Sequence, residues 1–278
     1  MQTIMKNTEA NKVITIPAGF GKSIQLVVSE QASWYREKII HLLAGTEGNA
    51  VKSSRFSTVL RFKGPEAEET LYFKEFHRRG FKDSLKNLFG YTRAEKDFRG
   101  STRLMRKGFY TSVPLFYGVV KRFGIIQKNF IVTKEVPGKQ TYQYLSEHFS
   151  NSQAGSFISE KREFLQAAGL EIGRLHSRGI FHGDLRVGNI IIDDSGSSSR
   201  FHFIDNERTV YYPQLPYAKR LKNLVQLNMI RRKEVTRTDR LRFFNAYISC
   251  NKALLPRRKE ILQEIQKLTE RRRGTKSP

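Results

Sequence analysis

The sequence predicts an α+β chain in two parts, a β-rich first part followed by a mainly helical one. Two observations carry the prediction. From Val13 to about Val132 the apolar residues fall in short alternating runs such as ITI, SIQLVV, STVLRF and TLYFKEF, the period of a half-buried strand. After Pro137-Gly138 they recur at three-to-four spacing, the period of a helix with one buried face. The change of period sets the expected division: residues 1–136 in the first part, with 1–12 flexible, 137–270 in the second, and 271–278 as a flexible basic tail.

In chain order, Gly19-Phe20-Gly21-Lys22-Ser23 invites comparison with a phosphate-binding loop. That motif needs Gly where Ile16 stands and a helix where the strand SIQLVV follows, so a β-turn is expected instead. Trp34, Tyr35 and the stripe Ile39, Leu42, Leu43 predict a short helix packed on the strands. Lys63-Gly64-Pro65 turns STVLRF back into TLYFKEF as a hairpin. From about Arg93 to Lys107, Phe98, Thr102 and Met105 recur on one helical face, Gly108 caps the end, and Tyr110 to Val120 returns to the first sheet. In the second part KREFLQAAGLEIGRLHSRG places Leu165, Ala168, Ile172 and Leu175 on one face and stops at Gly179. His176 lies on that stripe and is expected to pack and hydrogen-bond rather than bind a ligand. From Tyr217 onward the chain reads as helical and basic.

The bulk composition narrows the partners. With 50 Lys and Arg against 26 Asp and Glu, the formal net charge of +24 favours phosphate-rich partners: nucleic acid, anionic lipid or a phosphorylated glycan. A lone cysteine, Cys250, excludes an intramolecular disulfide, and no Cys/His cluster suggests zinc, which points to a reducing cytoplasm. The opening MQTIMKNTEANK lacks the apolar core of a signal peptide. No window approaches the about eighteen apolar residues of a membrane span, so a soluble or surface-lying protein is expected.

The chemistry concentrates in FHGDLRVGNIIID, residues 181–193, where Asp184 and Asn189 stand five positions apart ahead of an apolar run. IIID and FHFID flank the turn-forming run Asp193 to Ser199 and predict a hairpin that brings Asn189 and Asp205 to one end. A carboxylate and an amide oxygen at that end suit Mg²⁺, which takes one or two protein oxygens and fills its shell with phosphate oxygens. Asp184 is then left to orient a hydroxyl nucleophile, with His182 as a prop for the loop.

HGDLRVGN resembles the catalytic loop H-x-D-x-x-x-x-N of the protein-kinase-like fold, in which a metal-binding Asp follows after a short hairpin. Within that superfamily the stretch from roughly Val51 to Tyr247 most resembles bacterial lipopolysaccharide core kinases, which phosphorylate heptose or Kdo. VKSSRFSTVLRF, LYFKEF, HGDLRVGNIII, FIDNER and TRTDRLRFFNAY carry the likeness. Asn206-Glu207-Arg208 after Asp205, in place of Phe-Gly, argues against the regulated activation segment of eukaryotic protein kinases.

The resemblance implies a bilobal α+β kinase fold and an ATP-dependent phosphotransferase. The strand residue Lys74 would hold the α/β-phosphates, and the next helix would supply its carboxylate partner; the spacing to Gly108 favours Asp97 over Glu95. Ser53 and Ser54 would cover the phosphates in a loop without glycine, and backbone groups around Lys134, Glu135 and Val136 would hold adenine. Asn189 and Asp205 would bind Mg²⁺, and Asp184 would be catalytic. The acceptor would be an anionic glycolipid or phosphorylated sugar at an anionic membrane surface on the cytoplasmic side. The basic residues Lys219, Arg220, Lys222, Arg231, Arg232, Lys233, Arg237, Arg240 and Arg242 would help to recruit it. Two alternatives share the motifs: a small-molecule or protein kinase of the aminoglycoside-phosphotransferase or RIO type, and an inactive kinase-like module binding through its charge, with nucleic acid the less expected ligand.

Overall fold

The computed structural model describes residues 12–17, 22–28, 35–65, 69–77, 91–149, 155–196, 198–230 and 235–274. Trp34, Gly19 to Gly21 of the expected turn, Arg231 to Lys233 and the last four residues lie outside them. The chain divides into two compact units, residues 1–102 with 112–135, and residues 103–111 with 136–278.

The first unit is built on one antiparallel sheet of seven strands: β1 (Lys12–Pro17), β2 (Lys22–Val28), β3 (Asn49–Ser54), β4 (Ser57–Lys63), β5 (Thr70–Phe76), β7 (Pro114–Arg122) and β8 (Ile125–Lys134), in the order β1-β2-β7-β8-β5-β4-β3. The hairpin expected around Lys63-Gly64-Pro65 pairs Lys63 with Thr70. Ile24, Leu26, Phe62, Leu71, Phe73, Phe116, Phe130 and Val132 form its core, together with Ile39 and Leu42 from α1 (Tyr35–Ala44). Full burial of one such aromatic is worth roughly 2–3 kcal/mol.

Helix α2 (Arg93–Arg106) corrects the sequence reading by one position. Met105, expected on the inner face, is 42% exposed, whereas Ala94, Asp97, Ser101 and Leu104 are buried. A purely apolar stripe could not locate that face, because an acid and a serine hold two of its positions. Thr92 caps the helix by accepting the Glu95 amide, and Gly108, at a φ of 73°, ends it.

Tyr110 and Thr111 do not return to the first sheet. They form β6 (Tyr110–Thr111), which runs parallel to β12 (Arg200–Phe203) in a four-stranded sheet of the second unit with β11 (Ile190–Asp193) and β9 (Lys139–Gln140). The expected β11–β12 hairpin pairs Ile190 with Phe203. Two further short strands, β10 (Ile180–Phe181) and β13 (Val210–Tyr211), pair with each other.

The rest of the second unit is helical: α3 (Thr141–Phe149), α4 (Gly155–Ser177), α5 (Tyr217–Asn228), α6 (Arg237–Ser249) and α7 (Arg258–Gly274). Leu165, Ile172 and Leu175 of α4 are buried as their spacing implied. The motif TRTDRLRFFNAY is α6 with its cap: Thr236 and Asp239 form a reciprocal capping box, and Arg240 donates to the carbonyls of Asn228 and Ile230 at the end of α5. The final helix carries Arg271, Arg272 and Arg273 in its last turn, so those positions are helical where a loose tail was expected.

Candidate active site

The loop that carries Asp184 leaves β10 at Phe181 and enters a 3-10 turn, Val187–Asn189, immediately before β11. His182 organises it. Its Nδ1 accepts the amide of Asp184 at 3.3 Å, and its Nε2 meets the carbonyl of Ile204 at 3.1 Å. A ring nitrogen that accepts a hydrogen bond carries no proton, so His182 is neutral and donates through Nε2. Burial pushes its pKa below the ordinary value in the same sense. Gly183 is required by close approach, since a Cβ there would stand 2.3 Å from the Cβ of Arg208 and 2.7 Å from its carbonyl oxygen.

Two buried residues of α5 that sequence reading did not single out hold the same loop. Asn223 accepts the His182 amide at 3.2 Å and donates to the His182 carbonyl at 2.6 Å. Gln226 accepts the Leu185 amide at 3.2 Å and donates to the Gly183 carbonyl at 3.3 Å. Both amides lie in a stretch of α5, Asn223 to Leu227, in which every residue is buried, so the helix is enclosed all round there. The signal available was in NLVQL, a pair of amides three apart flanking and followed by apolar residues.

Asn189 donates from Nδ2 to the Asp184 carbonyl at 2.8 Å, which turns its amide oxygen the other way. Its own carbonyl accepts the Ile204 amide at 3.0 Å, so the residue that precedes Asp205 is tied to Asn189. Asp205 adopts the left-handed conformation, φ 63° and ψ 51°, which is uncommon outside glycine and is most tolerated by Asn and Asp. The hairpin thus brings Asn189 and Asp205 to one end as expected. The Asp184 carboxylate is 24% exposed; its Oδ2 meets Nη2 of Arg186 at 2.7 Å and its Oδ1 meets Nε2 of Gln226 at 3.5 Å. Arg186 is a third residue that the sequence reading passed over.

This donor set fits a hard divalent cation: one carboxylate and one amide oxygen, with no sulfur and no imidazole among the donors. Among the described residues no group of three or more His, Cys, Asp or Glu clusters, so such a cation would complete its shell from phosphate oxygens and water, the habit of Mg²⁺.

In the first unit, Lys74 of β5 lies opposite Val59 and Ile131, and its Nζ meets Asp97 Oδ2 of α2 at 3.4 Å, with both side chains largely buried. Glu95 is engaged elsewhere, with Arg99 at 3.0 Å and beside Tyr117, whose phenol is pushed up to about 12 by burial and by that carboxylate. Asp97 is therefore the carboxylate beside Lys74.

The hairpin loop that holds Ser53 and Ser54 is closed by its own hydrogen bonds. Ser54 Oγ accepts the amides of Phe56 and Ser57, both at 3.2 Å, and donates to the Ser57 carbonyl, so hydroxyl and amides alike close the turn. Ser53 Oγ lies 3.5 Å from Thr58 Oγ1. The amides of Lys134 and Glu135 donate to the carbonyls of Val113 and Thr70, and the Glu135 carboxylate meets Tyr72 and Arg61. The backbone donors at those two positions are thus committed within the first unit.

His176 packs as expected: Nδ1 faces Tyr247 Oη at 3.0 Å, Nε2 faces Asn223 Oδ1 at 3.2 Å, and burial depresses its pKa to about 3. Of the basic residues expected to recruit an acceptor, Arg220 is spent on Tyr247 and Asn251, Arg240 on the end of α5, and Arg242 on Asp239. Lys219 and Lys222 lie over the ring of Phe181.

A family model described as the lipopolysaccharide kinase (Kdo/WaaP) family matches residues 43–247. The chain belongs to that family. It is accordingly a lipopolysaccharide kinase, a phosphotransferase of lipopolysaccharide biosynthesis with a kinase-like fold. A solved structure of WaaP in complex with acyl carrier protein is similar with a TM-score of 0.65 and 20% identity, covering 88% of this chain and 98% of that one. A curated relative, CBL-interacting protein kinase 25 of Oryza sativa subsp. japonica, is 28% identical over 102 residues, 35% of this chain. That match spans 20% of the relative's length. No helix among the described residues is long and apolar enough to cross a membrane.

Proposed function

We propose that this kinase transfers the γ-phosphoryl group of ATP to a hydroxyl of heptose or Kdo in the lipopolysaccharide inner core, working at the cytoplasmic face of an anionic membrane. The observation that carries the reading is the Asp184 loop, whose backbone is fixed by His182, Asn223 and Gln226 while its carboxylate remains partly open to solvent. Such rigidity suits phosphoryl transfer, where positioning and charge neutralisation outweigh covalent help.

In this mechanism the acceptor hydroxyl donates its hydrogen bond to Asp184. The sugar oxygen attacks the γ-phosphorus in line as the bond to the β–γ bridging oxygen breaks, and Asp184 takes the proton late, with ADP as leaving group. Arg186, at 2.7 Å, keeps the Asp184 carboxylate turned, and Lys74, paired with Asp97, offsets charge on the α/β-phosphates. Asn189 and Asp205 would hold Mg²⁺, which when bound neutralises charge on the phosphates. Ser53 and Ser54 would shape the hairpin loop offered to the phosphates, with the Ser54 hydroxyl engaged in the turn. Adenine would take its polar contacts from the Glu135 carbonyl and from Val136.

Labelled ATP incubated with purified inner-core oligosaccharide, an aminoglycoside and a generic protein acceptor tests the reading. Label should enter the saccharide alone, and Asp184→Ala should abolish the transfer while the protein stays folded. Undiminished transfer by that variant removes Asp184 from the mechanism, and label in another acceptor removes the substrate assignment.

A further inference from the structure

The β7–β8 hairpin ends in a turn whose sequence contradicts its geometry. Arg122 pairs with Ile125, so Phe123 and Gly124 form a two-residue loop, and their φ angles are 48° and 76°. Positive φ at both central residues defines a type I′ turn, for which Asn-Gly is the favoured pair; a bulky aromatic at the first position is strained. Packing does not compensate, because Phe123 is 74% exposed, the most of any large apolar side chain among the described residues, and Ile125 beside it is 49% exposed. A strained aromatic presented to water at a sheet's tip has no folding rationale.

Its surroundings are cationic. Lys121 and Arg122 precede it, with Arg122 over the Phe123 ring at 5.5 Å, and exposed Lys22 of β2 is the cross-strand partner of Arg122. The sequence has no Asp or Glu from Phe98 to Lys134 or from Ala10 to Ser29, so β1, β2, β7 and β8 carry no acid that could offset these charges.

We propose that this hairpin tip docks on an anionic lipid bilayer, with Phe123 and Ile125 entering the headgroup boundary and Lys22, Lys121 and Arg122 on lipid phosphates. An exposed aromatic and an exposed aliphatic two positions apart suit an acyl boundary, whereas single-stranded nucleic acid is met by stacked aromatics. The proposal rests on the reading above, since a glycolipid acceptor presents itself at such a surface.

The test uses the full chain and sedimentation with vesicles of phosphatidylglycerol and phosphatidylethanolamine, against phosphatidylcholine alone. Binding should need the anionic lipid. Phe123→Asn creates the favoured Asn-Gly turn, so thermal stability should hold or rise while binding falls about tenfold. Lys121→Gln and Arg122→Gln should each weaken binding about fivefold. Wild-type binding by Phe123→Asn overturns the proposal, as does failure of the wild type to bind anionic vesicles. Binding to single-stranded RNA that Phe123→Asn abolishes, with no vesicle binding, also overturns it. Transfer to deacylated, water-soluble core oligosaccharide, measured alongside, should be unchanged in all three variants. Loss of vesicle binding in Phe123→Asn supports the hairpin whether or not any saccharide is phosphorylated, so the two readings fail separately.

Discussion

Asn223 holds His182 by both of its backbone groups, taking the amide at 3.2 Å and giving a hydrogen bond to the carbonyl at 2.6 Å, as a neighbouring strand would. The same side chain also meets His176 at 3.2 Å and Gln226 at 2.9 Å. Asn223→Ala should therefore leave several buried polar groups unpaired and cost on the order of 3 kcal/mol, read from denaturant midpoints. Asn223→Asp keeps the acceptors but turns an oxygen toward the His182 carbonyl, and should also be destabilising. A neutral outcome for both would show that the clamp contributes nothing.

Lys74 and Asp97 should fail differently. Lys74→Met should lower phosphate transfer roughly a hundredfold and raise the KM for ATP, because the proposed mechanism relies on its charge to offset the phosphates. Asp97→Ala leaves a largely buried ammonium without this carboxylate and should in addition cost about 3 kcal/mol of stability. Equal kinetic effects with no stability difference would argue against the pairing seen here.

Gly183 leaves no room for a methyl group against Arg208. Gly183→Ala should displace the loop, reducing turnover by about a hundredfold through misplacement of Asp184 while costing about 1–3 kcal/mol. Steady-state kinetics beside thermal melting would separate the two effects, and wild-type turnover would contradict the contact.

Acid should destabilise the protein through its buried histidines. His176 titrates at its ordinary 6.5 when unfolded but stays neutral to about 3 when folded. The unfolded state thus binds the extra proton between those values, and stability falls as pH drops through that window, by about 1.4 kcal/mol per pH unit for this group. His182 and His202, both lowered chiefly by burial, act in the same direction. Unfolding at about pH 7 and about pH 5 should show the loss, and His176→Gln should reduce it; greater stability at the lower pH would contradict the assignment.

The juxtaposition of the residues proposed to carry the chemistry was legible because their spacing is local. Asp184 to Asn189 is one loop, and Asn189 to Asp205 is one hairpin, so period and turn composition suffice to bring them together. Asp97 was legible from its spacing to Gly108, although the apolar stripe of the same helix pointed one residue away from the buried face. The supports were not legible. Asn223 and Gln226 reach the loop across some forty positions, 41 for the Asn223–His182 contact, and β6 pairs with a strand further still along the chain. No local pattern encodes such partners. The turn-closing bonds of Ser54 were not legible either, because a serine before a turn can serve the turn, a ligand or both, and composition alone cannot distinguish them.

Arg240 of α6 and Arg273 of α7 both donate to the carbonyls of Asn228 and Ile230, where α5 ends. That helix is the one whose amides grip residues 182–185. The remote basic helix is thereby the outer brace of a lever whose inner arm reaches the proposed nucleophile-orienting acid. Trimming it away to make a smaller catalytic fragment would slacken the acid's mounting without touching a single reacting atom.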